Sequence, residues 1–130
     1  MLDKTLEQLE NDYWEEPSYS SHLVTECHRL RKVPLKEFSI EHYRLLLGQN
    51  IGTPYLLPLA IKVLQKDPLS EGDFYPGDLL KSVITLPTDT WKDKALGGEL
   101  QKLLNIIEEI TQIPKEIETE LSRFLEITRR

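Results

Sequence analysis

Cysteine occurs once in the 130 residues, at Cys27, so no intramolecular disulfide can staple the fold. That single thiol and three scattered histidines do not supply the recurring ligands of a zinc site. Basic residues are also short: 16 Lys and Arg against 22 Asp and Glu leave a net charge of −6. This balance argues against general affinity for nucleic acid or anionic membrane, since both need cations to displace counterions, and it suits a basic macromolecular partner. No apolar run approaches the length that spans a bilayer. No glycine-rich run followed by lysine is present to cradle a phosphate. The opening stretch MLDKTLEQLE is too acidic and too broken by charge to act as a secretion signal, and the expected compartment is the cytosol.

Hydrophobic residues at 39% and charged residues at 29% describe an ordinary globular chain, long enough to enclose one core. A single domain over residues 1–130 is expected. Apolar residues recur at spacings of three and four, with no convincing alternation of strand type, so the fold class is all-α, a bundle of about six to seven helices. Leu2, Leu6 and Leu9 mark a first short helix. Ser20 or Ser21 can cap a second, with Leu23, Val24, Cys27 and Leu30 on its apolar face and Arg29, Arg31 and Lys32 in its last turn. Ser39 can cap a third. Thr53, followed by Pro54, opens a fourth that is apolar almost all round from Leu56 to Leu64, with Pro58 expected to kink it or delay its start. A fifth follows Pro76, and Trp91 is delivered to the core or to a groove. After Gly97 and Gly98, ELQKLLNIIEEI and PKEIETELSRFLEI are expected to pack as an antiparallel hairpin.

The chemistry on offer is sparse. Cys27 adjoins His28, but neighbours on a helix point about 100° apart, so adjacency makes no thiolate–imidazole pair. The stretch EGDFYPGDLL, residues 71–80, fails as a calcium loop because Phe74, Tyr75 and Pro76 occupy its middle. Asp73 and Asp78 form a carboxylate pair of the kind used in acid–base catalysis, yet a chain with 22 acids holds many such pairs by chance. A mechanical account fits better: Gly72 and Gly77 permit tight geometry, and Asp73 or Asp78 accepts from free helix N–H groups. Phe74 is then expected to plug the core and Tyr75 to sit at the rim. A structural loop and a partner-binding loop remain compatible readings of the same residues.

Charge is unevenly spread. Asp3 to Glu16 holds six acids and one lysine, and Asp67 to Asp78 adds four acids and no base. Arg29, Arg31, Lys32 and Lys36 form a basic strip between them. Should the two acidic segments lie side by side, they make one negative face carrying Trp14 and Tyr75, suited to a cationic partner; should they not, they are solvated helix ends.

Taken together, LEQLENDYWEEP, CHRLRKVPL, the run YRLLLGQNIGTPYLLPLAIKVLQKDPLSEGDFYPGDLLKSVITLP and the following Trp91 resemble the immunity proteins of bacterial contact-dependent growth inhibition systems. The resemblance covers roughly the first 90 residues, and the last two helices add nothing to it. It implies a cytoplasmic bacterial protein that binds the toxic C-terminal domain of an effector and blocks it, with no catalysis and no cofactor or metal. Such toxins are often nucleases with basic clefts that an acidic inhibitor can occupy. The candidate partner-binding residues are Glu10, Asp12, Trp14, Glu15, Glu16, Asp73, Tyr75 and Asp78. The alternative is a helical adaptor or oligomerisation module that works through the C-terminal hairpin; an enzyme using Cys27 or Asp73 and Asp78 ranks behind both.

Overall fold

The first three helices begin where a hydroxyl side chain accepts one of the first free N–H groups. In the computed structural model, which describes residues 1–18 and 21–128, Thr5 opens α1 (Leu6–Glu10) with a capping box: its hydroxyl accepts the Gln8 N–H at 3.2 Å, and Gln8 Oε1 accepts the Thr5 N–H at 2.9 Å. The helix therefore starts later than the leucine spacing suggests, and Leu2 stays outside it and exposed. Ser21 caps α2 (His22–Leu30) by accepting the Val24 N–H at 3.1 Å, while Ser20, the other expected cap, lies outside the described residues. Ser39 caps α3 (Ile40–Gly48) in a box closed by His42, whose Nδ1 accepts the Ser39 N–H at 3.1 Å. A short 3-10 turn, Leu35–Glu37, bridges α2 and α3.

Gly52, at φ 66°, replaces Thr53 as the cap of α4 (Thr53–Lys66), and Thr53 instead donates its hydroxyl to Asn50 Oδ1 at 2.7 Å. The helix runs through Pro58 without interruption. Leu56, Leu57, Ala60, Ile61 and Leu64 of α4 are buried, as its composition leads one to expect. Helix α5 (Asp78–Ile84) is sunk as deeply, with Leu79, Leu80 and Val83 fully covered. Two 3-10 turns, Thr88–Lys92 and Lys94–Leu96, lead to α6 (Glu99–Glu108), and a third, Lys115–Ile117, leads to α7 (Glu118–Thr128).

The architecture is all-α, with seven α-helices among the described residues. Its closest packing joins α3 to α5; α4 lies against α3 and α6, and α2 against α3. The last two helices differ from expectation in their partners. Helix α6 docks on α4 through Leu103, Ile106 and Ile107, whereas α7 docks on α5 through Leu121 and Phe124. The physical reason lies in the connection: Pro114 and the 3-10 turn after it seat Ile117 in the core, so each helix buries its apolar face on an inner helix rather than chiefly on the other. Trp91 meets Phe124 edge-on, ring centres 5.7 Å apart, beside a cleft of about 180 Å³ between the end of α5 and α7.

Candidate functional site

The loop between α4 and α5 is built around one carboxylate. Asp78, at the first position of α5 and 3% exposed, turns back over its own loop. Its oxygens accept the N–H groups of Gly72 at 2.6 Å, Phe74 at 3.0 Å and Tyr75 at 3.5 Å. A charged acceptor bonded to several backbone donors is a strong tether. Gly77, at φ 94°, makes the turn into α5 that an L-side chain resists, and its N–H reaches the Leu69 carbonyl at 3.1 Å. An antiparallel backbone bridge between Glu71 and Pro76 closes the loop across its base.

A second frame comes from α3. Arg44 grips Glu41 with two parallel hydrogen bonds, Nε to Oε1 at 2.6 Å and Nη2 to Oε2 at 2.5 Å, and Glu41 Oε1 also accepts the Asp73 N–H at 2.9 Å. The Arg44 guanidinium holds the Glu41 carboxyl below its ordinary range, with burial opposing. Glu41 in turn raises Arg44. Gly72 is wedged between the two frames: a Cβ there would stand 2.5 Å from Glu41 Oε1 and 3.2 Å from Asp78 Oδ2.

With its backbone fixed on both sides, the loop turns Phe74 outward instead of into the core, while Tyr75 takes a partly buried position at the rim, as expected. Tyr75 is the one half-buried against the core, and Phe74 stands out at 66% exposure with the Arg44 guanidinium 4.4 Å from its ring centre. Neighbouring residues held in one tight turn diverge, so only one of the two rings can face inward. Hydrophobicity nominated Phe74, but Arg44 offers its ring a platform outside.

The N-terminal acidic segment has a different task. Arg31, in the turn that follows α2, is 1% exposed although it carries a full charge. Glu10 pairs with it, the Asp12 carbonyl accepts from its Nη2, and the Trp14 ring covers its guanidinium at 4.2 Å. Trp14 Nε1 donates to Asp12 Oδ2 at 3.2 Å, and the ring meets His28 edge-on at 5.1 Å. Glu7 pairs with Lys32, and the Tyr55 hydroxyl of α4 donates to the Leu9 carbonyl at 3.1 Å. A buried guanidinium requires acceptors, and this shell supplies them to Nη1 and Nη2 while the buried Nε finds none. Glu10, Asp12 and Trp14 thus clamp the basic end of α2.

The two acidic segments do not form one continuous face. Arg29 of α2 lines a groove with Glu16 and Pro17 on one side and a cleft with Glu41, His42 and Asp73 on the other, so α2 stands between the segments. Of the eight candidate residues, Asp78 is enclosed, Glu10, Asp12 and Trp14 are engaged with Arg31, and Tyr75 is half-buried near Lys81. Glu15, Glu16 and Asp73 remain exposed. Like Glu71, the Asp12 carboxylate and other surface acids such as Glu37, Asp67 and Asp89, they have no cation within ion-pair distance among the described residues. Phe74 and Glu71 are surface residues that the sequence reading did not select.

Chemical machinery is thin around these groups. Burial raises the Cys27 thiol above its ordinary range, which suppresses the thiolate, and His28 points Nδ1 at the Val24 carbonyl 2.9 Å away. Among the described residues no group of three or more His, Cys, Asp or Glu side chains is placed to hold a metal ion, and no helix is long and apolar enough to cross a membrane.

The profile of the CDI immunity proteins matches residues 8–103. No curated protein matches the chain. The matched stretch begins inside α1, takes in the Arg31 clamp and the whole doubly framed loop, and ends within α6. On that match the chain belongs to the CDI immunity proteins.

Proposed function

We propose that this protein acts in the bacterial cytoplasm by binding and neutralising the toxic C-terminal domain of its cognate contact-dependent growth inhibition effector, and that the toxin is a nuclease. The role is occlusion rather than turnover. The observation that carries this reading is the match to the CDI immunity proteins, and it is supported by an acidic surface on which Asp73, Glu71, Glu15 and Glu16 are among the exposed carboxylates without a cation partner. A nuclease presents a basic groove to phosphate, and carboxylates can compete for it.

The contact is centred on the loop around Asp73 and Tyr75, with Glu15 and Glu16 as a second, peripheral patch across α2. Glu10, Asp12, Trp14 and Asp78 serve it indirectly by holding those surfaces in place. The adaptor alternative asks for an open amphipathic face at the C-terminus. Burial of Ile117, Leu121 and Phe124 against the core speaks for the inhibitor instead.

Co-purification with the C-terminal domain of the effector encoded beside it tests the reading. A stable complex is expected, with an interface of roughly 1,600 Å² in total, weakening as salt rises from about 50 to about 300 mM because exposed charges are screened. Protection of cells expressing the toxin domain should accompany binding. Failure of the unaltered chain to bind or to protect overturns it.

A further inference from the structure

Phe74 is the most exposed large hydrophobic side chain among the described residues, and it does not lie near a terminus. Single exposed apolar side chains are common on protein surfaces, but this one sits on a rigid mount. Asp78 holds the backbone of Gly72, Phe74 and Tyr75, Glu41 holds that of Asp73, and Arg44 supports one face of the ring. The scaffold satisfies the loop's own backbone donors, and in doing so it fixes an apolar ring outside the core, where it keeps its hydrophobic surface for another contact.

We infer that Phe74 is the anchor of the protein's contact with its partner, inserting into an apolar pocket rimmed by lysine or arginine on the toxin domain. The inference rests on the toxin-neutralising reading above and adds to it the residue and the pocket chemistry. Charge selects the occupant. Glu71 and Asp73, which both precede Phe74 along the loop, are exposed carboxylates with no ion-pair partner among the described residues. The cations that face this loop are engaged: Arg44 with Glu41 at 20% side-chain exposure, Arg29 with Glu26 at 2.8 Å, and Lys81 with Glu120 at 3.9 Å. His22 and His42 lie across the cleft behind Asp73. The loop thus sets an exposed apolar ring beside two uncompensated carboxylates, the complement of an apolar pocket edged by cations. Aromatic anchors of this arrangement dominate binding energy, and an anchor already held in place loses little conformational freedom on docking.

Calorimetric titration of the unaltered chain, Phe74→Ala and Phe74→Trp against a catalytically silenced C-terminal domain of the neighbouring effector tests this. Phe74→Ala is expected to weaken binding by about 30-fold or more, with its melting temperature lowered by no more than about 4 °C, because the ring is outside the core and loses only its contact with Arg44. Phe74→Trp should stay within about threefold of the unaltered chain. Tight binding by the unaltered chain with Phe74→Ala within about twofold of it overturns the anchor and leaves the toxin-neutralising reading standing. No binding by the unaltered chain removes both. Sedimentation of the unaltered chain alone supplies a further check: a dimer that Phe74→Ala dissociates would assign the ring to a second copy of this chain and overturn the inference.

Discussion

Asp78 and Gly72 are six residues apart in sequence, and the carboxylate of the first accepts the N–H of the second at 2.6 Å, almost out of solvent. The same carboxylate serves Phe74 and Tyr75, so removing it leaves several donors without an acceptor. An unsatisfied buried donor costs about 1–3 kcal/mol. Asp78→Ala should therefore lower stability by about 2–4 kcal/mol in urea unfolding. Asp78→Asn, which keeps one acceptor oxygen, should lose less. Both variants should also weaken toxin binding beyond their loss of stability, measured well below the unfolding midpoint, because the loop loses its mount. Unchanged binding by a folded Asp78→Ala would separate the loop from the interface.

Glu10 reads as a surface acid in sequence, but its partner is a guanidinium that is 1% exposed. Removing one member of such a pair strands the other. Glu10 is itself partly exposed, which softens the effect, and Glu10→Ala is expected to cost about 2 kcal/mol. Glu10→Ala combined with Arg31→Met should recover part of that loss, since no charge is then left buried. Denaturant midpoints of the two single variants and the double variant measure the coupling. Additive losses would show that the pair is not coupled. Toxin affinity of the folded Glu10→Ala protein should change by less than about threefold, in keeping with a supporting role.

Local signals were legible wherever the physics is local. Ser21 and Ser39 stand three residues before the N–H groups they accept, and the continuous apolar surface from Leu56 to Leu64 announced a central helix. What the sequence hid depends on distant partners. Arg31 sits in a turn rich in cations and looks like part of a solvated basic strip; its burial follows from Glu10 and Asp12, 21 and 19 residues earlier. Lys32 and Glu7 are 25 residues apart. These pairings turned an apparent acidic face into a clamp. The outward turn of Phe74 has the same origin, because Arg44 supplies the outer platform from another helix. The separate docking of α6 and α7 was likewise hidden, since amphipathic spacing says which face is buried but not on what.

The Glu41 carboxyl is held below its ordinary range by hydrogen bonds from Arg44, and this makes the loop frame acid-sensitive. A carboxylate whose folded pKa is depressed stabilises the native state above the unfolded value of about 4.3. That contribution fades as pH falls through the lower folded value. Glu41→Gln cannot make the ion pair at any pH, so its deficit against the unaltered protein should be constant above about pH 5 and should shrink steadily as pH falls below the unfolded value of about 4.3. Urea midpoints between pH 7 and pH 3 measure it. A deficit that persists undiminished to pH 3 would mean that Glu41 stabilises by shape rather than by charge.

Glu15 and Glu16 are exposed, uncompensated and separated from the Phe74 loop by α2, which suits them to steering rather than to holding. Charges at the edge of an interface act mainly on the association rate, while the packed centre governs dissociation. Reversing both, Glu15→Lys with Glu16→Lys, should slow association with the toxin domain several-fold at about 50 mM salt and leave the dissociation rate within about twofold. At about 300 mM salt the association rates of variant and unaltered chain should converge, because the Debye length there is below about 8 Å. Phe74→Ala should show the opposite division, with near-normal association and fast release. Surface plasmon resonance at the two salt concentrations distinguishes them. If the double reversal instead accelerates dissociation and leaves association untouched, Glu15 and Glu16 lie inside the contact, and the interface must extend across α2 to reach them.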